Sequence, residues 1–176
     1  MEPREWMIKK KEMIDKDELH SLIKESNHLE QEMLKSLDER EVYDYMISKM
    51  NYCMRKKMIS SLDVGMYLTI GDICYIDYGM AYLWETGYQH FGLILSIRNG
   101  KAFVVPVSGS LRAVAGADKR SHVMHLGMIE GMNKPSVLYI NDAKWINTAR
   151  ILDIKAHLDH KSQLFLDIKQ NVREMI

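Results

Sequence analysis

All ten glycines of this 176-residue chain lie between Gly65 and Gly131. The segment before them has no glycine and a single proline, Pro3. Glycine costs about 1 kcal/mol inside a helix and supplies the positive φ that tight turns require. The distribution therefore demands a helical N-terminal part followed by a part built from short elements and turns. In the first part Leu19, Leu22, Ile23, Leu29, Met33, Leu34 and Leu37 recur at spacings of three and four, one face of a helix. Asp38 stands three residues before Glu41, a capping-box start for a second helix that carries Val42, Tyr45, Met46, Met50, Cys53, Met54 and Met58 on one side. Arg55, Lys56 and Lys57 sit in its last turn, where cations suit the helix dipole. The expectation is an αα-hairpin over residues 1–64. Eight of the fourteen methionines precede residue 60. Such a face either packs on the rest of the protein or forms a partner-binding or dimerising surface. Packing is favoured, because apolar stripes are usually core.

Residues 65–176 read differently. Residues 73–78 alternate as a half-buried strand does. Residues 93–97 and 102–107 are apolar runs flanking Arg98-Asn99-Gly100-Lys101, and Asn-Gly between two such runs predicts a hairpin. Residues 136–140 form a further strand and 143–151 another. Asp159 to Met175 is helical, with Leu164, Phe165, Ile168, Val172 and Met175 on one face and Asp159 as its cap. The expected class is α+β: a small β-barrel with a C-terminal helix and the N-terminal helical hairpin.

Charge and composition remove several functions. Lys plus Arg equals Asp plus Glu at 24, which excludes coating nucleic acid by bulk charge. No apolar stretch reaches the roughly 18 residues that span a bilayer, and no apolar region follows the charged start, residues 1–11, as in a signal peptide. Cys53 and Cys74 are far apart and offer neither metal-type spacing nor a disulfide framework, so a reducing cytoplasmic compartment is expected. His122 with His125, and His157 with His160, would have to converge to hold zinc, and the sequence gives no reason for that. No cofactor is implied.

The order of motifs in the second part resembles the MazF/PemK (Kid) family of toxin ribonucleases. Gly71-Asp72-Ile73-Cys74-Tyr75-Ile76-Asp77 looks like that family's opening strand. Glu85 stands where the family has the acid of its Gly-Ser-Glu-Gln segment, and His90-Phe91 where it has Arg-Pro. Val105-Pro106-Val107-Ser108-Gly109-Ser110 resembles its Pro-φ-Thr/Ser element, His122-Val123 its short His-Val strand, and residues 136–158 its later strands. The resemblance covers roughly residues 66–175. It implies an SH3-like barrel, a homodimer, a protein antitoxin, and metal-independent cleavage of single-stranded RNA, leaving a 2′,3′-cyclic phosphate and a 5′-OH.

That reaction needs a base for the 2′-OH, an acid for the leaving oxygen, and donors for the charge on the phosphorane. It needs no metal, because the nucleophile is tethered beside the phosphorus. His90 replaces the family's arginine, and a histidine can be a true acid or base where an arginine acts through charge. The expected catalytic set is His90 with the hydroxyls of Ser108 and Ser110. Glu85 or Tyr88 would orient His90 or touch a base. Arg112, Lys119 and Arg120 are candidates for RNA phosphates. Tyr78, Tyr82 and Trp84 either stack on bases or pack beneath their loop, with packing favoured. The alternatives are a non-catalytic RNA- or protein-binding module and a gyrase-directed toxin of the same fold. Residues 1–65 carry 12 basic and 14 acidic groups and residues 66–176 carry 12 and 10, so neither part holds RNA by bulk attraction.

Overall fold

A computed structural model describes residues 3–9 and 15–175. The chain forms two compact units, Met1–Tyr43 and Asp44–Ile176. The charged start, residues 1–11, lies partly outside the described residues.

In the first unit, helix α1 spans Pro3–Lys9 and α2 spans Lys16–Ser36. Asp15 caps α2 by accepting from the Glu18 amide at 2.8 Å. Helix α3, Glu39–Arg55, begins with the expected capping box. Asp38 accepts from the Glu41 amide at 2.8 Å, and the Glu41 side chain accepts from the Asp38 amide at 3.0 Å. Within this unit α2 has no buried residue, and Leu19, Ile23 and Leu29 are about half exposed.

The second unit contains the last part of α3, seven strands among its described residues, a short helix α4 (Leu111–Ala115), and the terminal helix α5 (Gln163–Met175). The strands are β1 Asp72–Asp77, β2 Gln89–Arg98, β3 Lys101–Ser108, β4 Val123–Gly127, β5 Ser136–Tyr139, β6 Lys144–Asn147 and β7 Ile151–His157. All pair antiparallel, in the order β4-β5-β3-β2-β1-β7, with β6 also on β3. β3 is long enough to serve two partners on one side: its start pairs with β6 and its end with β5. The Asn99-Gly100 turn has φ of 48° and 73°, as the hairpin reading requires.

The period-2 alternation sorts the strands' apolar side chains onto two faces. Ile73, Leu93, Val105, Val107 and Leu138 pack with Phe165, Ile168 and Val172 of α5 (Gln163–Met175). Cys74, Ile76, Ile94, Val104, Ile146 and Ile151 form the core of the other face. Two details differ from expectation. Ser162, not Asp159, caps α5 by accepting from the Phe165 amide at 3.2 Å; Asp159 instead holds the preceding turn through the Lys161 amide. The expected strand over 143–151 is split by a turn of 3-10 helix at Thr148–Arg150 that sends β7 back onto β1.

The buried stripe of α3 is also not the expected one. Met46, Met50 and Met54 are exposed, while Tyr45 and Ser48 are buried and Asn51 and Arg55 are half-buried. These four follow helical spacing, and three of them are polar because of what they meet. Asp77 ends β1 with its carboxylate buried, and it accepts from Ser48 Oγ at 2.6 Å, Asn51 Nδ2 at 2.9 Å and the Gly79 amide at 3.0 Å. Arg55 donates to the carbonyls of Ala149 and Ile151 at 3.1 and 2.9 Å. A methionine stripe would leave all these groups unsatisfied.

Candidate functional site

The site predicted around His90 lies at the start of β2, at the foot of the loop that joins it to β1. That loop is closed at its base by two backbone bonds, Tyr78 amide to Tyr88 carbonyl at 2.7 Å and Tyr88 amide to Gly79 carbonyl at 2.6 Å. It is pinned further up by Asp142, which accepts from the Thr86 amide at 2.7 Å and the Thr86 hydroxyl at 2.6 Å. Both Tyr88 and Trp84 adopt positive φ, 52° and 72°, so the loop holds a conformation that side chains usually avoid.

His90 is exposed, and its Nδ1 lies 2.6 Å from the Gly87 carbonyl oxygen. A carbonyl can only accept, so Nδ1 carries the proton and Nε2 holds the lone pair in the neutral ring. Among the described residues Nε2 has no partner. Ser108 is the last residue of β3. Phe91 pairs with Val107, so the same register continued by one residue sets His90 opposite Ser108, on the same face of the sheet. Ser108 Oγ lies 3.4 Å from Ser110 Oγ. Ser108 and Ser110 are thus neighbours at the end of β3, and His90 stands at the start of the adjacent strand β2.

The remaining candidates are dispersed in role. Ser110 is the N-cap of a short helix, α4 (Leu111–Ala115), and accepts from the Ala113 amide at 3.2 Å. Arg112, in the same helix, is exposed and free of partners among the described residues, as is Lys119. Arg120 is occupied: its guanidinium donates to the Gly116 and Ala113 carbonyls at 3.1 and 3.0 Å, closing the end of α4. Glu85 accepts from the Tyr82 amide at 3.2 Å in its own loop and makes no bond to His90. The expectation that the loop aromatics pack holds only for Tyr78. Tyr82 is 87% exposed and Trp84 97% exposed.

Tyr78 is buried beneath the His90 end of the sheet. Its hydroxyl lies against the α-carbon side of Gly92, where an added Cβ would come within 2.3 Å of it. This hydroxyl is the one buried side-chain oxygen or nitrogen without a partner among the described residues, and burial raises its pKa well above the ordinary tyrosine value. The Lys144 ammonium lies 5.6 Å from the centre of its ring.

The two aspartates of the opening motif have structural work. Asp72 accepts from the Thr69 amide and hydroxyl at 2.7 and 2.9 Å and pairs with His157 Nδ1 at 2.8 Å. Gly71 has φ of 99°, and a Cβ there would overlap the Leu158 carbonyl at 2.1 Å. The motif is therefore explained by chain crossing. His125 pairs with Asp118 at 2.9 Å, so His125 and His157 each answer to a different carboxylate.

The sequence reading missed three residues of this region. Gly87 contributes only a carbonyl, which no side-chain pattern reveals. Thr86 and Asp142 are 56 residues apart and meet only in the fold.

No family model matches the chain, and no curated protein matches it. Among solved structures it is similar to Mycobacterium tuberculosis toxin MazF-mt6, with a TM-score of 0.42 and 14% identity over 60% of this chain and 98% of the toxin. No helix among the described residues is long and apolar enough to cross a membrane.

Proposed function

We propose that the chain is a MazF/PemK-like endoribonuclease, with residues 65–176 forming the SH3-like barrel domain and 1–64 a helical extension. The observation that carries this reading is the His90 geometry. With Nδ1 bonded to Gly87, Nε2 is exposed and unprotonated in the neutral ring, and His90 stands one residue beyond the Phe91–Val107 pair, as Ser108 does on the neighbouring strand.

In the proposed reaction Nε2 takes the ribose 2′-OH proton as that oxygen attacks the adjacent phosphorus. The P–O5′ bond then breaks, with solvent water giving the 5′-oxygen its proton and the Ser108 hydroxyl donating to a non-bridging oxygen of the phosphorane. The Gly87 carbonyl holds the imidazole in the required tautomer. Arg112, beyond Ser110, meets the next phosphate along the strand. The natural setting proposed is a toxin–antitoxin module, with a protein antitoxin and a homodimeric toxin.

The test is incubation of purified protein with a long single-stranded RNA in EDTA, followed by mapping of the ends. Cyclic-phosphate ends are expected, lost in His90→Ala and reduced about tenfold or more in Ser108→Ala. Cleavage undiminished by His90→Ala removes the residue from the mechanism.

A second reading, a binding module without turnover, is favoured by the loop that bears Tyr82, Leu83 and Trp84, all at least 87% exposed. Binding of RNA without any cleavage distinguishes it.

A further inference from the structure

A cavity of the second unit holds about 380 Å3 and is lined by none of His90, Ser108 and Ser110. It opens between the last turns of α3, the residues following β1, and the turn between β6 and β7. Its size falls within the roughly 300–1,000 Å3 of small-molecule sites. Six of its fourteen lining residues come from α3 and the turn after it, a part of the chain outside the MazF/PemK resemblance.

Its charge is one-sided. Arg55, Lys56 and Arg150 line it, against a single carboxylate, Asp77. That carboxylate is turned to Ser48, Asn51 and the Gly79 amide, which together take both its oxygens. The two guanidiniums are not so occupied, and the Lys56 ammonium lies 5.7 Å from the centre of the Tyr52 ring. Arg55 uses only one terminal nitrogen, on two backbone carbonyls. Arg150 likewise uses one, on the Asp77 and Tyr78 carbonyls at 3.2 and 3.0 Å. Carbonyl oxygens hold each guanidinium in place without neutralising it, so the other N–H groups are oriented and unpaired among the described residues. Two fixed guanidinium forks and an ammonium suit a phosphate dianion. The rest of the wall is flat or apolar: the Tyr52 ring, 59% exposed, with Met58 and Met80.

We propose that this cavity binds a nucleotide phosphate, with Arg55, Lys56 and Arg150 on the phosphate and Tyr52, Met58 and Met80 against the base. The volume is far larger than a phosphate ion needs, and an exposed aromatic ring beside the cations is what a base stacks on. The inference stands whether or not His90 cleaves RNA.

The test is calorimetric titration of the full chain at low salt with AMP, inorganic phosphate, adenosine, and an RNA tetranucleotide with and without a 5′-phosphate. AMP or the 5′-phosphorylated RNA should bind at least about tenfold more tightly than phosphate, adenosine or the 5′-hydroxyl RNA. Tighter binding of AMP identifies a free nucleotide as the occupant, and tighter binding of the phosphorylated RNA identifies an RNA end. Arg150→Gln should weaken binding about tenfold or more. Because that change also removes a clamp on the backbone, Lys56→Ala and Tyr52→Ala, both at exposed positions, are measured beside it and should each weaken binding severalfold. The proposal is overturned if neither AMP nor the phosphorylated RNA binds. It is also overturned if phosphate binds as tightly as AMP, if Lys56→Ala and Tyr52→Ala leave the affinity unchanged, or if an acidic peptide binds where nucleotides do not.

Discussion

Removing the Asp77 carboxylate tests how the last part of α3 is held to the sheet. Asp77 is 4% exposed and takes three donors, two of them from α3. Asp77→Ala leaves the Ser48 hydroxyl, the Asn51 amide and the Gly79 N–H without an acceptor, and Ser48 is itself 3% exposed. A hydrogen bond to a charged group is worth about 1.5–3 kcal/mol net. The three are not additive, because Ser48 keeps its bond from Gln89 Nε2 at 2.8 Å and water can enter on the Asn51 side. The expected loss is about 3–5 kcal/mol, as for deletion of one partner from a buried charged network.

Asp77→Asn is the discriminating control. The remaining oxygen still serves Ser48 and Gly79, and Asn51 can turn its own amide oxygen toward the new NH2, so the loss should be about 1 kcal/mol. Equilibrium urea unfolding measures both. With a slope of about 1.5 kcal/mol/M the alanine midpoint should fall by roughly 2–3 M and the asparagine midpoint by less than about 1 M. Hydrogen exchange should show the amides of residues 48–55 losing protection first in the alanine variant. If the two variants are equally damaging, or if alanine costs under about 1 kcal/mol, the carboxylate is not what anchors the helix.

Gly92→Ala should destabilise by about 2–3 kcal/mol, because the new methyl would meet Tyr78 Oη at 2.3 Å and Ile76 Cδ1 at 2.7 Å in a packed core; a neutral result in thermal unfolding would mean that Tyr78 moves freely. Tyr78→Phe removes a buried hydroxyl with no partner among the described residues and should raise stability by up to about 1 kcal/mol. A loss of stability would mean that the hydroxyl is satisfied, as by an ordered water. Burial pushes the Cys74 thiol up to about 12, with the Asp72 and Asp153 charges adding to it. The unfolded chain releases this proton near its ordinary value of 9.0 and the folded chain holds it to about 12, so stability should fall as pH rises between those values, by up to about 1.4 kcal/mol per unit. Cys74→Ala should flatten that slope, and a neutral thiol reagent at pH 8 should label the exposed Cys53 and leave Cys74 unmodified in the native protein.

Much of the second unit was legible as local pattern. The Asn99-Gly100 turn, the strands on either side of it and most of the apolar face of α5 depend on neighbours a few residues apart and appear as read, as does the capping box at Asp38 in the first unit; Met175, read on the α5 face, is exposed. The candidate site was legible in part. His90, Ser108 and Ser110 were singled out one by one, but that His90 and Ser108 stand on adjacent strands, each one residue beyond the Phe91–Val107 pair, follows from the β2–β3 register. The roles of Arg120 and Glu85 were not readable, because a surface arginine in a sequence looks the same whether it caps a helix or waits for a phosphate. The apolar faces of α2 and α3 misled for a physical reason. Helical periodicity reveals that a face exists and not whether anything covers it, and the sheet edge that α3 meets presents a carboxylate and carbonyls that only polar residues satisfy.

The sequence alone determined the division of labour along the chain. Glycine is absent where helices must run unbroken and concentrated where the chain must turn, and residues at periods of 3.6 and 2 settle each element from within. The tertiary structure decided which groups meet. Asp77 with Ser48 and Asn51, Thr86 with Asp142, and the guanidiniums of Arg55 and Arg150 on carbonyls far along the chain are contacts between residues 26 to 96 positions apart. Hydrogen-bond geometry and burial create them, and neither quantity is defined until the chain has folded.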